Sequence, residues 1–170
     1  KLHTELTNFH GRIDSTTVLT AQTILAVFDE EMSKMDDAGV PVDGRILYVT
    51  PAVNKLLKEA DGIQRMITVN SSNVHSLDDV TIKMVQSGRM KTKYNFTNGC
   101  VAAADADQIN FILVHPSCVV ARDKYAYISL FTPGTDSRTA DGYLYQNRNY
   151  WDLFLIERKV AGCAMHVTKH

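Results

Sequence analysis

Glycine is missing from the one place in this sequence where a phosphate-binding enzyme needs it. A buried strand, Arg45–Val49, is read as running straight into an amphipathic helix, and the junction is Val49-Thr50-Pro51. A backbone loop that closes on a phosphate requires glycine at such a turn, so this element is not built for that chemistry. Cysteine is scarce too. The three present, Cys100, Cys118 and Cys163, are odd in number and widely spaced. No CxxC or Cys/His spacing points to zinc, and the pattern reads as reduced core thiols of cytosolic origin. Long hydrophobic runs are absent: none approaches the ~20 residues of a membrane-spanning helix. No signal peptide is visible, so the sequons Asn70-Ser71-Ser72 and Asn95-Phe96-Thr97 read as chance matches. An excess of one charge is also lacking. Lys and Arg number 18 against 19 Asp and Glu, for a net charge of −1. Without a polybasic tract, tight nonspecific binding to nucleic acid is disfavoured.

What remains is a chain of 170 residues, 45% hydrophobic and 22% charged. That is enough for one domain with a real core, or one domain plus part of another. Such a chain buries roughly 70% of its unfolded surface and needs no disulfides. It has no initiator Met and opens as KLHTELTNFH, in the middle of an element, which is the expectation for a fragment or processed product.

Periodicity gives the elements. Lys1–His10 reads as a helix end with Leu2, Leu6 and Phe9 on one side and Gly11 as C-cap. Thr17–Ala38 reads as one long helix with the stripe Ala21, Ile24, Leu25, Phe28, Met32 and Met35, stopped by Gly39 and Pro41. Thr50 caps the next helix, Pro51 suits its first turn, Val53, Leu56, Leu57 and Ala60 face the core, and Gly62 ends it. Residues 63–78 are ambiguous between a short helix and a loop. Val80–Val85 reads as a strand with Val80, Ile82 and Met84 on one face. Ser87–Ala104 reads as an extended loop, Ile109–Val114 as a central strand, and Pro116–Val120 as a short helix. Tyr125–Phe131, Tyr143–Glu157 and Gly162–Thr168 read as strands, with a turn-rich break over Asp136–Gly142.

No catalytic, cofactor or metal site emerges. The six histidines are scattered, and His115, just past an apolar strand, reads as a hydrogen-bonded strand-end residue. Asp36-Asp37, Asp78-Asp79 and Asp105/Asp107 fall where Asp caps helices or forms turns, and the last pair lacks the Gly and Glu of a calcium loop. There is no Gly-x-Ser-x-Gly elbow, and Cys118 has no evident base. Two stretches stand out as surfaces. Arg89, Lys91, Lys93, Tyr94 and Phe96 interleave basic and aromatic side chains, which fits a solvated loop, a single-strand binder or a contact with a neighbouring subunit. Tyr143, Tyr145, Arg148, Tyr150 and Trp151 crowd a strand that is too polar midway to be wholly core. It reads as an edge strand or as one lying along a subunit boundary.

Four stretches, in order, carry a family resemblance. DDAGVPVDGRILYVTPAVNKLLK contains a "GR-x-x-x-V-[ST]-P" strand-to-helix entry. LDDVTIKMVQSGRMKTKYNFT, INFILVHPSCVVARDKYAYISLFTP and YWDLFLIERKVAGCAMHV follow it. Together they resemble the major capsid proteins of tailed bacteriophages and prophages, with the Hong Kong 97-type fold that encapsulin nanocompartments share. Gln86, where that family often has Pro, and Asn54, where an aromatic is common, depart from it. The resemblance implies an α+β fold: the axial domain with part of the peripheral domain. Residues 1–15 would end the spine helix of the peripheral domain, 16–124 would form the axial domain, and 125–154 the long peripheral strands. A C-terminal hairpin, 155–170, would return to the axial domain. The N-terminal arm, extended loop and most of the spine helix of a full subunit would precede this chain.

The implied function is structural and not enzymatic: self-assembly through pentamers and hexamers into the icosahedral shell around phage DNA. Partners would be the chain itself and, beyond it, scaffold, portal or decoration proteins, with no sequence-specific nucleic acid and no membrane. Its place would be the virion capsid, after synthesis in the bacterial cytoplasm. Near-neutral charge suits a shell that must release its DNA. The alternatives are an encapsulin-like shell, a small α/β ligand-binding enzyme with its site at Thr50-Pro51, and a nucleic-acid module using Arg89–Phe96. The fragment alone is expected to stay monomeric or to form small rings.

Overall fold

The computed structural model describes residues 1–60, 67–70, 73–97, 99–135, 138–139 and 141–169, with backbone alone for 67–70 and 73–75. Gly62, Asn98 of the Asn-Gly turn and the serines of the first sequon lie outside them, and the helix that Gly62 was expected to end already stops at Glu59, with Ala60 extended. Described residues fall into two units: Lys1–Val119 with Leu155–His170, and Val120–Phe154.

The first unit is built on a seven-stranded sheet. Its strands are β1 (Arg12–Asp14), β2 (Ile46–Val49), β3 (Ile67–Asn70), β4 (Asn73–Leu77), β5 (Val80–Met84), β8 (Gln108–Val114) and β11 (Cys163–Thr168), in the order β1-β11-β8-β2-β5-β4-β3. A short hairpin, β6 (Tyr94–Asn95) with β7 (Val101–Ala102), lies apart from it, and β9 (Val119–Phe131) with β10 (Leu144–Leu155) forms a separate two-stranded ribbon. The described residues also form three α-helices, α1 (Leu2–Asn8), α2 (Ile24–Asp37) and α3 (Pro51–Glu59), and short 3-10 turns.

Alternation divides the core into two clusters. Leu47, Val49, Ile82, Phe111, Leu113 and Ala164 meet Ile24, Phe28 and Met35 of α2 and Val53 and Leu57 of α3. Met165, Cys163, Val167, Ile109 and Val114 instead meet Leu6 of α1, Cys118 and Leu155. Ile109 shares parity with Phe111, yet joins the other cluster. A register shift between His166 and Val167 explains this: Phe111 pairs with His166 and Ile109 with Val167, so Asn110 bulges out. The bulged Asn110 Nδ2 then donates to His166 Nδ1 at 2.9 Å and to Thr168 Oγ1 at 2.6 Å.

The strand-to-helix entry forms as its residues dictate. Thr50 is extended (φ −76°, ψ 159°) and its Oγ1 accepts from Val53 N–H, while Pro51 occupies the first turn, where no donor is needed. The preceding Gly44 adopts φ +83°, which favours glycine. Arg45 is fully buried, and its side chain ties down the loop that leads from α2 into β2.

Several boundaries differ from the sequence reading. α2 begins at Ile24, seven residues later than Thr17. Thr20 N–H donates to Thr23 Oγ1, and Thr23 Oγ1 donates to Val18 O, so threonine hydroxyls occupy the backbone groups a helix would use. Residues 12–14, placed with the end of the spine helix in the sequence reading, are strand β1. At the end of α1 the left-handed residue is His10 (φ 52°), not Gly11. Its N–H bonds to Thr7 O and that of Gly11 to Leu6 O at 2.7 Å, closing a Schellman motif. Gly11 is needed for space instead: a Cβ there would sit 2.4 Å from Leu6 Cδ2. Met84 is 57% exposed and does not share the buried face of Val80 and Ile82. Finally, β10 and β11 do not pair as a hairpin. β10 pairs with β9, and β11 inserts between β1 and β8.

Candidate assembly surfaces

The first candidate surface is the loop after β5. A 3-10 turn at Ser87–Arg89 leads into it. Met90 is buried and anchors it in the core. Gln108 Nε2 donates to Met90 O at 2.8 Å, and Lys91 forms a bridge with Gln108. Tyr94 is half-buried rather than exposed: its hydroxyl donates to Gly88 O and accepts from Lys91 N–H, both at 3.1 Å. Lys93 is exposed and hydrogen-bonded to Asp105, Arg89 is exposed, and Phe96 is 74% exposed with its ring 6.4 Å from that of Tyr94. This loop is pinned at four points, unlike a freely solvated one, and it presents one large ring outward.

The second surface is the ribbon. Tyr125 stacks on Tyr127 (6.3 Å, 10°) and meets Tyr150 at 6.2 Å, so these three rings share one face. Trp151 follows Tyr150 in β10 and therefore points to the other face, where strict alternation also puts Tyr145. Trp151 is 67% exposed, and Tyr145, Tyr150 and Arg148 are exposed as well. Tyr143 is exposed just before the strand. The sequence reading missed Tyr125, Tyr127, Ile128 and Leu130, all exposed on β9. The signal was present in KYAYISLF, which is bulky at both parities. That pattern marks a strand with no solvent face. The two candidate surfaces belong to different units: Arg89, Lys91, Lys93, Tyr94 and Phe96 to the first, and Tyr143, Tyr145, Arg148, Tyr150 and Trp151 to the second.

The polar groups that might have carried chemistry are engaged structurally. His115 Nδ1 accepts from Ser117 N–H at 3.2 Å, which leaves the proton on Nε2 to donate to Asp43 O at 3.1 Å. Asp78 and Asp79, both with positive φ, form the two-residue turn that joins Leu77 to Val80. Asp36 accepts from Arg45 at 2.6 Å. Cys118 and Cys163 are buried and Cys100 is exposed. Burial raises the thiol pKa of both Cys118 and Cys163, so neither is poised as a nucleophile. His166, only one of the scattered histidines in the sequence reading, is 1% exposed. It is stacked on Phe111 and bonded to Asn110 and Thr17 O. Burial alone would raise the Asp14 pKa. Hydrogen bonds from Thr16 and Thr17 outweigh burial and hold it at about 2.

No protein-family model and no curated protein matches the sequence. Solved structures do. A structure from Mycobacterium phage Che8 matches 97% of this chain and 54% of its own, with a TM-score of 0.60 at 12% identity. The capsid of cyanophage P-SCSP1u matches 94% and 54%, with a TM-score of 0.61 at 14% identity. The chain has a phage capsid fold. The asymmetric unit of the mature capsid of bacteriophage PhiM1 shows the same relation, with 92% of this chain and 51% of that one at a TM-score of 0.57 and 13% identity. The α+β reading and the capsid resemblance therefore hold at the level of fold. The chain spans about half the length of the capsid-fold chains it matches. Within that fold, the Gly44-Arg45 and Thr50-Pro51 signature marks a structural joint, since each of its residues caps, turns or anchors backbone.

Proposed function

We propose that this chain is part of a major capsid protein of a tailed phage or prophage, a structural subunit that assembles with copies of itself into the shell around the genome. Residues 16–124 with the returning 155–170 and strand β1 form its axial domain, helix α1 ends the spine helix, and residues 125–154 are the long peripheral strands. Its location is the virion, after synthesis in the host cytoplasm. The partners are other copies in rings of five and six, joined by heterologous contacts, with scaffold, portal or decoration proteins outside them.

The observation that carries this reading is the ribbon. An isolated two-stranded ribbon is at best marginally stable in water, yet this one shows aromatic rings on both faces. Its Tyr125, Tyr127, Tyr143, Tyr145, Tyr150, Trp151 and Phe154 are 38–72% exposed. At roughly 200 Å² per ring, these leave about 800 Å² uncovered, close to one partner's share of a standard interface. Neighbouring subunits are the cover the capsid fold supplies. The test is electron microscopy of the full-length protein expressed alone and with its neighbouring head genes. Closed icosahedral particles are expected, and Tyr150→Ser with Trp151→Ser should abolish them while leaving the far-ultraviolet circular dichroism unchanged. Full-length protein that stays monomeric in every condition, or particles indifferent to the double substitution, would refute the proposal.

A further inference from the structure

His166 is 1% exposed, and both of its ring nitrogens are engaged. Nε2 lies 2.9 Å from Thr17 O. A carbonyl oxygen can only accept, so Nε2 carries a proton in either charge state of the ring. Nδ1 lies 2.9 Å from Asn110 Nδ2, and the same nitrogen lies 2.6 Å from Thr168 Oγ1. The Asn110 amide therefore commits both of its N–H groups to this corner. Its oxygen accepts nothing among the described residues. Asn110 also lines a cavity of about 410 Å³ between the segment Ser15–Leu19, α3 and the end of β11. With the nitrogen turned toward His166 and Thr168, the oxygen is the amide atom left to the cavity.

A second arrangement satisfies the same atoms. Another proton on the ring can enter only at Nδ1, where it would meet an Asn110 N–H head on. A half-turn of the amide about Cβ–Cγ removes the conflict. Oδ1 then accepts from Nδ1–H and from Thr168 Oγ–H, since a hydroxyl donates as well as accepts. Amide nitrogen and oxygen exchange places, and no other heavy atom has to move. We propose that His166 and Asn110 form a proton-driven amide switch, which turns this wall of the cavity from hydrogen-bond acceptor to donor on acidification. One proton passes from solvent to Nδ1, and no bond between heavy atoms forms or breaks. The ring has a counter-ion at hand: Asp14 Oδ2 of β1 lies 3.9 Å from Nε2, and the Asp14 pKa, held at about 2, keeps it ionised while the ring fills. Arg12 of the same strand is taken up by Ala161 O and Glu31. From α2, Glu30, Glu31 and Lys34 reach the groove that Asp14 lines. α3 presents Ala52, Val53 and Leu56 to the cavity, and neither the segment Ser15–Leu19 nor β8 carries an ionisable side chain. Lys169, on the cavity wall, is the opposing charge. The switch lies within the first unit and is independent of assembly.

The test is a pH titration of the full-length subunit by nitrogen nuclear magnetic resonance, reading the His166 ring nitrogens and the Asn110 side-chain amide. Nε2 should stay protonated throughout while Nδ1 gains its proton. The Asn110 amide signals should move with the same midpoint, as their N–H groups leave His166 and Thr168 for the cavity. Asn110→Asp accepts at the same place without turning, so its His166 midpoint should rise by about one pH unit or more. Three results overturn the switch: an Nδ1 that stays bare until the subunit unfolds, a ring that titrates while the Asn110 amide stays fixed, or an Asn110→Asp midpoint that does not rise. If that variant does not fold, the two readings in the unmodified subunit decide alone.

Discussion

Replacing Arg45 should reveal how the fold holds the loop that leads from α2 into β2. The side chain has 0% exposure. Its Nε donates to Pro41 O at 2.9 Å, its Nη2 to Val40 O and Asp36 Oδ1, both at 2.6 Å, and its Nη1 contacts Met32 Sδ at 3.4 Å. Arg45→Ala leaves two inward-facing carbonyls without their donor, at about 1–3 kcal/mol each. It also removes a cation from the C-terminal end of α2, worth about 0.3–1 kcal/mol. The ion pair itself adds little, because the Asp36 side chain is 54% exposed and such pairs contribute about 0.2–1 kcal/mol. The expected loss is therefore about 3–8 kcal/mol, a large share of the roughly 5–15 kcal/mol typical of a domain. Urea unfolding followed at 222 nm should show the midpoint falling by more than about 1 M, given a slope of about 1–3 kcal/mol per molar. Asp36→Asn is the control and should cost no more than about 1 kcal/mol. Arg45→Lys should fall between the two, since an ammonium cannot reach three acceptors in the guanidinium's planar arrangement. If Asp36→Asn matches Arg45→Ala, the charge pair and not the carbonyl clamp carries the stability, and the argument fails.

Three further outcomes follow from local geometry. Gly11→Ala should destabilise by about 1–3 kcal/mol in thermal melts, because its Cβ meets Leu6 Cδ2 at 2.4 Å and Val160 Cγ2 at 3.0 Å; an unchanged melting temperature would mean that α1 shifts freely. The Asp14 pKa is depressed to about 2, so its stabilisation is complete above the ordinary carboxylate range and lost as pH falls from about 4 to 2. Asp14→Asn should flatten that part of the acid-unfolding curve, and a parallel curve would refute the assignment. Of the three thiols, only Cys100 is exposed. A disulfide reagent should thus titrate one thiol in the native chain and all three in denaturant, and fast reaction of Cys163 would contradict its burial.

The elements that the sequence displayed most clearly are those whose side chains act locally. Thr50 and Pro51 announce a helix start because capping involves neighbours three residues away. Ile109–Val114 announces a buried strand because both its faces are covered. Strand β1 was illegible because its three residues are strand only by pairing with β11, some 150 positions away in the register Ile13 to Met165. Periodicity continued α2 back to Thr17, but the hydroxyls of Thr20 and Thr23 decide otherwise, and no hydropathy pattern records a hydrogen bond. His10 took the left-handed position that glycine was expected to fill, because steric space at Gly11 was the scarcer requirement. At the candidate surfaces, aromatic crowding pointed to Tyr150 and Trp151, which are both exposed. Tyr94 was misjudged as exposed because the partners of its hydroxyl are backbone groups, which look the same in every sequence.

The insertion of β11 between β1 and β8 sets an order of events during synthesis. The strand that joins the N-terminal edge to the middle of the sheet is Cys163–Thr168, so the ribosome must deliver those residues before the sheet can close. At about 5–20 residues per second, they emerge roughly ten to thirty seconds after β1. Until then Ile109, Val114 and Leu6 have no strand between them, and the apolar surface they bury in the finished sheet stays uncovered. A ribosome that stalls before residue 163 yields a chain that cannot complete its sheet.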